Sequence, residues 1–291
     1  MSRLQAVLLL GLAAAMFSTG GLFIKLVTIG PLALVSARSI IAAAIMWLWV
    51  WRTEEKRPFF TYDRYQIGGA IALVGAQLFF VVANRQTTSA NAVFIQFTAP
   101  IFVALFGIWF LGERATRRDW LTMAAIGVGF FLFFSDELTT TGFWGNVNAL
   151  ISGISLAWLV LFLRKQKDGS TAQTILLGNI LAAVICFPFL FQETYTLADV
   201  GGIAFLGVLQ LGIPFIMMSV AVRYLTAVET ILIQTLEPIL NPVWVFFIIG
   251  ETPSTFALIG GLIVLVSVTL RGVLASPQTD DAGLEGLEIG D

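Results

Sequence analysis

Ten stretches of mostly apolar residues, each about as long as a bilayer core is thick, govern what this chain can fold into. They fall at 4–24, 31–51, 66–84, 92–112, 120–135, 143–163, 171–191, 200–222, 230–250 and 256–274. A helix needs about 20 such residues to cross the hydrocarbon core. Strands of a lipid-exposed barrel alternate apolar and polar residues, and these segments are apolar nearly all round, so helices are the predicted spans. The expected fold is an all-α integral membrane protein of ten transmembrane helices. Composition agrees: 12% of residues are charged, against roughly 25% in a soluble domain, too few to cover the molecule with a water-facing surface.

Charge then orients the spans. An even number of crossings puts both termini on one side. The segments on that side hold thirteen Lys and Arg residues, the opposite side holds only Lys25 and Arg85, and Arg38 lies inside the second span. Positive charge stays in the cytoplasm, so both termini are predicted to be cytoplasmic, in a bacterial inner membrane. Arg3 followed by an apolar run mimics a secretory signal, but the run is long and its removal would leave nine spans and spoil the charge asymmetry. Trp47, Trp49, Trp51, Trp109 and Trp120 fall near one boundary and Trp144 near the other, as interfacial anchors do. The segment 276–291 is acidic, lacks an apolar period and is predicted to be a disordered cytoplasmic tail.

Several chemistries drop out. There is no histidine and only one cysteine, Cys186. The usual zinc, haem and iron–sulfur ligand sets, disulfides and a histidine-dependent triad are therefore excluded. None of Lys25, Lys56, Lys165 and Lys167 follows a glycine, which removes the P-loop route to ATP hydrolysis. The expectation is a non-enzyme with no cofactor, metal or nucleic-acid partner. Its partners are a small-molecule substrate and the lipid bilayer, and a monomer is compatible with the sequence.

A shift of 138 residues exposes an internal repeat. Between 83–113 and 221–251, nine of 31 positions are identical: Ala83/Ala221, Arg85/Arg223, Thr88/Thr226, Ile95/Ile233, Gln96/Gln234, Pro100/Pro238, Ile101/Ile239, Gly112/Gly250 and Glu113/Glu251. The halves are thus 1–137 and 138–275, with five spans each. An odd number of crossings turns the second half over, so the halves are predicted to be inverted in the membrane, a recurrent plan of secondary transporters with the site near the midplane.

The segment Asn91–Glu113, ending Phe110-Leu111-Gly112-Glu113-Arg114, resembles the EamA domain of the drug/metabolite transporter superfamily, as does Glu237-Pro238 leading to Ile249-Gly250-Glu251. Arg38 and the glycines that follow each Gly-Glu pair (Gly127 and Gly129; Gly260 and Gly261) fit the same pattern over residues 4–274. The resemblance implies export of a small molecule by alternating access. Within the superfamily the chain looks most like the YddG-type exporters of aromatic amino acids; carriers of another metabolite or a cationic drug are the alternative, and a channel or intramembrane enzyme the remote one. One departure stands out: Glu237 has Ala99 as its counterpart, so the halves cannot serve a site identically.

Arg38 and Glu237 are the ionisable side chains expected deepest in the hydrocarbon, Arg38 about 10 Å from one end at 1.5 Å per residue. Such groups cost several kcal/mol, of order 2.5–3.5, unless paired or hydrated. They either meet the carboxylate and ammonium of an amino acid or pair with each other and lock the bundle. Gln96 and Gln234 precede the paired prolines; each amide either satisfies a carbonyl freed by proline or faces the substrate. Gln77 and the rings of Phe79 and Trp158 complete the expected substrate-binding set Arg38, Gln77, Phe79, Gln96, Trp158, Gln234 and Glu237, with Phe17, Phe80, Ser155 and Met217 as further candidates. Glu113 and Glu251 either cap the next helix or gate the cavity mouth.

Overall fold

The computed structural model describes residues 1–20, 23, 26–53, 60–87, 89–135, 142–240, 244 and 255–274. Lys25, Pro242, Gly250-Glu251 and the segment 276–291 lie outside the described residues. Among the described residues the fold is entirely helical. Its helices are α1 (Arg3–Phe17), α2 (Pro31–Thr53), α3 (Arg64–Gln86), α4 (Ser89–Gln96), α5 (Ala99–Phe110), α6 (Arg117–Phe134), α7 (Phe143–Lys165), α8 (Thr171–Cys186), α9 (Leu197–Phe205), α10 (Ile213–Ala221), α11 (Ala227–Gln234) and α12 (Thr255–Leu274). Among the described residues, six segments are long and apolar enough to cross a membrane: Pro31–Thr53, Arg64–Ala83, Asn91–Phe110, Phe143–Lys165, Thr171–Gln192 and Leu197–Ala221. Arg3–Phe17 and Leu258–Arg271 are shorter apolar helices.

The side-chain pattern is that of a lipid-facing bundle. Large apolar residues point outward, among them Leu4, Leu8 and Leu12 on α1 and Ile101, Leu105 and Ile108 on α5. The buried faces carry small and polar residues such as Ala6, Ala13, Ser36, Ser39, Ser152 and Thr230. Water would favour the reverse. In lipid, where tails are as apolar as leucine, small residues let helices approach and hydroxyls find partners inside. Trp47, Trp49, Trp51, Trp109, Trp120 and Trp144 are all exposed.

Neighbouring helices pack as α3 on α7 and α8, α2 on α8, α6 on α12, and α1 on α10. Close approach is built in at Gly129 of α6 and Gly260 of α12: a Cβ on either would meet the other's carbonyl. Helix starts are set by side-chain caps. Ser2, Thr116, Thr196 and Thr226 form capping boxes with Gln5, Asp119, Asp199 and Glu229. Asp63 accepts from the amides of Tyr65 and Gln66 at the start of α3, and the Gln66 amide is the main influence holding its carboxyl below the usual carboxylate range.

Four expected spans are interrupted. The first, expected over 4–24, leaves α-helix at Phe17, with a turn at Ser18-Thr19. The fourth breaks at Phe97-Thr98 between α4 and α5, and the ninth at Thr235 between α11 and the helical residues 236–240. Both breaks sit just ahead of the paired prolines, Pro100 and Pro238, which cannot donate to the residue four back. The eighth widens into a π-helical segment, Leu206–Gly212, just before Pro214. The 310 turn Phe187–Gln192 carries Pro188 at the end of the seventh.

Candidate functional site

The polar residues of the interior gather around these interruptions. At the α4–α5 break, Gln96 Nε2 donates to Ser152 Oγ of α7 at 2.7 Å, and that hydroxyl donates to the carbonyl of Ala76 on α3 at 2.7 Å. Gly153 lies so close that a Cβ there would stand 2.7 Å from the Gln96 carbonyl oxygen. At the equivalent break, Gln234 Nε2 donates to Met218 Sδ at 3.2 Å. Both amides thus tie their own span to a neighbouring one. The threonines at the breaks turn back on their own helices: Thr98 Oγ1 donates to Ile95 O at 2.7 Å and Thr235 Oγ1 to Leu232 O at 2.6 Å.

Arg38 is buried on α2, and its Nε has no hydrogen-bond partner. The charges of Arg38 and Glu237 act on each other, yet the two side chains form no ion pair. Glu237 is half-buried, in the helical residues after the Thr235 break. Gln77 on α3 is buried with both amide atoms unpartnered. An enclosed polar atom without a partner costs roughly 1–3 kcal/mol. Three more such atoms belong to residues that the sequence did not single out: Ser39 Oγ, Asn179 Oδ1 and Gln210 Oε1. Their one sequence signal is a hydroxyl or amide deep within an apolar run, and many such groups in this chain are satisfied. Ser39 and Asn179 lie on the α2–α8 contact, where Ser36 Oγ donates to Ala183 O at 2.8 Å one turn away on each helix.

The aromatic candidates are distributed differently. Trp158 stacks on Phe106, with centroids 5.2 Å apart and planes 21° apart, and has Phe162 tilted against it at 5.5 Å. Phe110 and Trp109 meet it edge-on at 5.2 and 5.8 Å. Its ring is engaged by its own chain. Phe79 is half-buried on α3. Phe17 packs edge-on against Phe215 at 5.2 Å. A cavity of about 70 Å³ lies against the α4–α5 break, lined by residues including Phe97, Pro100, Met123 and Phe130. It is well below the roughly 300 Å³ of a ligand pocket.

Glu113 does not cap the helix that follows it. Gly112, at φ +76°, terminates α5 in the left-handed conformation, and α6 is capped by Thr116 instead. The Glu113 carboxylate crosses to the other half of the chain. It pairs with Arg164 Nε at the end of α7 at 2.7 Å and accepts the first-turn amide of α11, Ala227 N, at 3.0 Å. Arg164 also donates to the carbonyl of Arg223 at 3.1 Å.

The EamA-like transporter family matches the chain twice, over residues 4–135 and 143–272. The chain belongs to this family. It is accordingly a multi-pass membrane protein of a transporter family, and the two matches give it two repeats of one domain. Two proteins of Archaeoglobus fulgidus, each named as an uncharacterized transporter, are similar to it. One is 22% identical over 72% of this chain and 76% of its own length, the other 24% identical over 90% and 96%. The threonine/homoserine exporter RhtA of Escherichia coli is 24% identical over 74% of this chain and 71% of its own length. A solved crystal structure with 17% identity superposes with a TM-score of 0.82, covering 95% of this chain and all of that one, and shares its fold.

Proposed function

We propose that the chain is a ten-span secondary carrier that exports amino acids by alternating access across a bacterial inner membrane, with both termini cytoplasmic. The twofold family match and the equivalent breaks at Phe97-Thr98 and Thr235 support two inverted halves, 1–137 and 138–275, with the site between them. The observation that carries the reading is the buried Arg38 with its unpartnered Nε, in a chain whose half-buried Glu237 forms no ion pair with it. A zwitterion supplies the missing carboxylate and ammonium. Arg38 and Gln77 face the carboxylate, Glu237 the ammonium, and the breaks at Gln96 and Gln234 let the spans bend around the substrate.

Two side-chain classes compete. The resemblance to aromatic exporters relies on Trp158 and Phe79 to hold a ring. The polar class is favoured by the engagement of Trp158 with Phe106 and Phe162, by the unpartnered oxygens of Ser39, Asn179 and Gln210, and by what RhtA is named for exporting. Proteoliposomes loaded with threonine, homoserine, phenylalanine, tryptophan, a sugar and an organic cation, with and without a pH gradient, test both. Threonine or homoserine should leave fastest. Faster efflux of phenylalanine or tryptophan restores the aromatic class, and no amino-acid movement at all overturns the reading. Arg38→Met and Glu237→Gln should each cut efflux at least about tenfold, worth about 1.4 kcal/mol, in protein that still folds. Full activity in either variant removes that residue from the site.

A further inference from the structure

The three interrupted spans that carry an internal proline share a feature: Gln96 precedes Pro100, Gln210 precedes Pro214 and Gln234 precedes Pro238, in each case by four residues. That is the position whose carbonyl loses its helical donor to the proline ring. At Gln96 and Gln234 the helix breaks. At Gln210 it widens instead into the π-helical segment, where the Ile213 amide reaches back to the Val208 carbonyl. Single π turns inside α-helices are frequent at functional sites.

Gln210 is 6% exposed. Its Nε2 donates to the carbonyl of Phe17, where α1 ends, at 3.4 Å. Its Oε1 is enclosed and has no partner. The fit is close on the α1 side: a Cβ on Gly20 would stand 2.8 Å from Gln210 Nε2, so glycine at 20 makes room for this amide. The end of α1 is pinned as well, since Trp244 Nε1 donates to Ser18 Oγ at 2.7 Å. On its other side the π-helical segment runs along α2 in the same direction, with Gly207 against Ile41 and Gly212 against Ile45. Arg38 is three residues before Ile41, and Gln210 three after Gly207. Six steps at about 1.5 Å give roughly 9 Å of axial separation, which two long side chains and one small amino acid bridge.

We infer that Gln210 is a selectivity residue: its amide oxygen accepts a hydrogen bond from a side-chain hydroxyl of the substrate whose head group is held at Arg38 and Glu237. The inference rests on the amino-acid reading above and adds the chemical class of the side chain. Nε2 donates to Phe17, which leaves the oxygen as the open acceptor of this amide. A hydroxyl satisfies that oxygen. A methyl group of the same size leaves it buried and unpaired, and sites built to bond a hydroxyl reject such isosteres strongly.

Threonine and valine have nearly the same shape and differ by that hydroxyl, so their competition in proteoliposomes is the test. The wild type should prefer threonine by about tenfold or more. In Gln210→Leu the preference should fall to near unity, through a loss for threonine that is larger than the loss for valine. Gly20→Ala, which displaces the amide without removing it, should lower the preference and keeps the test open if Gln210→Leu does not fold. A wild type that moves threonine and valine equally, a preference that survives both Gln210→Leu and Gly20→Ala, or an equal loss of both substrates in these variants overturns the inference while leaving amino-acid transport standing. A wild type that moves no amino acid overturns the reading beneath it.

Discussion

The two ends of the bundle use one device with different partners. At the Arg3 end, Asp119 and Glu229 each give one carboxylate oxygen to a capping box, Asp119 Oδ2 to Thr116 and Glu229 Oε2 to the Thr226 amide. Each gives its other oxygen to arginine: Asp119 Oδ1 to Arg271 at 2.6 Å, Glu229 Oε1 to Arg3 at 2.6 Å and to Arg271 at 3.2 Å. At the opposite end, Asp199 caps α9 through Thr196 in the same way, but its other oxygen accepts the Thr28 amide at 2.7 Å and the Thr28 hydroxyl at 3.1 Å. Glu193 also lies at that end, against Gly30, and neutral side chains supply further links among the described residues. Asn146 Oδ1 accepts from Thr87 and Asn91 at 3.0 and 3.3 Å, and Asn148 donates to Gln86 at 2.7 Å. One end therefore links spans of both halves by ion pairs, and the other by hydrogen bonds to one capping carboxylate and between neutral side chains. The first kind is stronger, and removing one partner strands a charge. The second is weaker and fails more gently.

That contrast can be broken by mutation. The largest effect is expected for Arg271→Met, which leaves the buried Asp119 without an arginine, while Glu229 keeps Arg3. Stranding buried charge costs about 3–5 kcal/mol, to be read as a lower thermal denaturation midpoint in detergent. An unchanged midpoint would mean that this end is not held by charge. Glu113→Gln comes next. It removes the pairing with Arg164 and weakens the bond to Ala227, so hydrogen exchange at the start of α11 should speed up about tenfold. Unaltered protection there would show that the carboxylate does not hold the two halves together. Thr28→Val should cost least, about 1 kcal/mol, because the Thr28 amide still serves Asp199. A loss as large as that of Arg271→Met would erase the distinction between the ends.

Much of this was legible in the chain. Spans α2, α3, α7 and α8 follow the apolar runs closely because in lipid the backbone must satisfy itself, and only length and apolarity are needed to read that. The breaks at 97–98 and 235 were marked by Pro100 and Pro238. The burial of Arg38 was to be expected from its position inside an apolar run, and the end of α5 from Gly112. The limits show at individual residues. Glu113 was readable as following a helix stop, but its partners Arg164 and Ala227 lie 51 and 114 positions away. Gln96 and Gln234 match in the repeat yet bond to a serine and a methionine that the repeat does not relate. Trp158 was correctly placed inside a span, but the rings stacked on it come from α5 as well as its own helix. Gln210 carries no mark in the sequence, because an amide in an apolar run says nothing about which of its atoms finds a partner.

By itself the sequence determined that lipid surrounds this protein, that its halves are copies of one domain, and where charge and proline interrupt the spans. These are properties of single segments, set by transfer free energy and by the backbone's own hydrogen bonds. Only the tertiary structure decided which buried polar atoms are satisfied and which are left open. That depends on helices brought together from distant parts of the chain, to within the few tenths of an ångström that make or break a hydrogen bond.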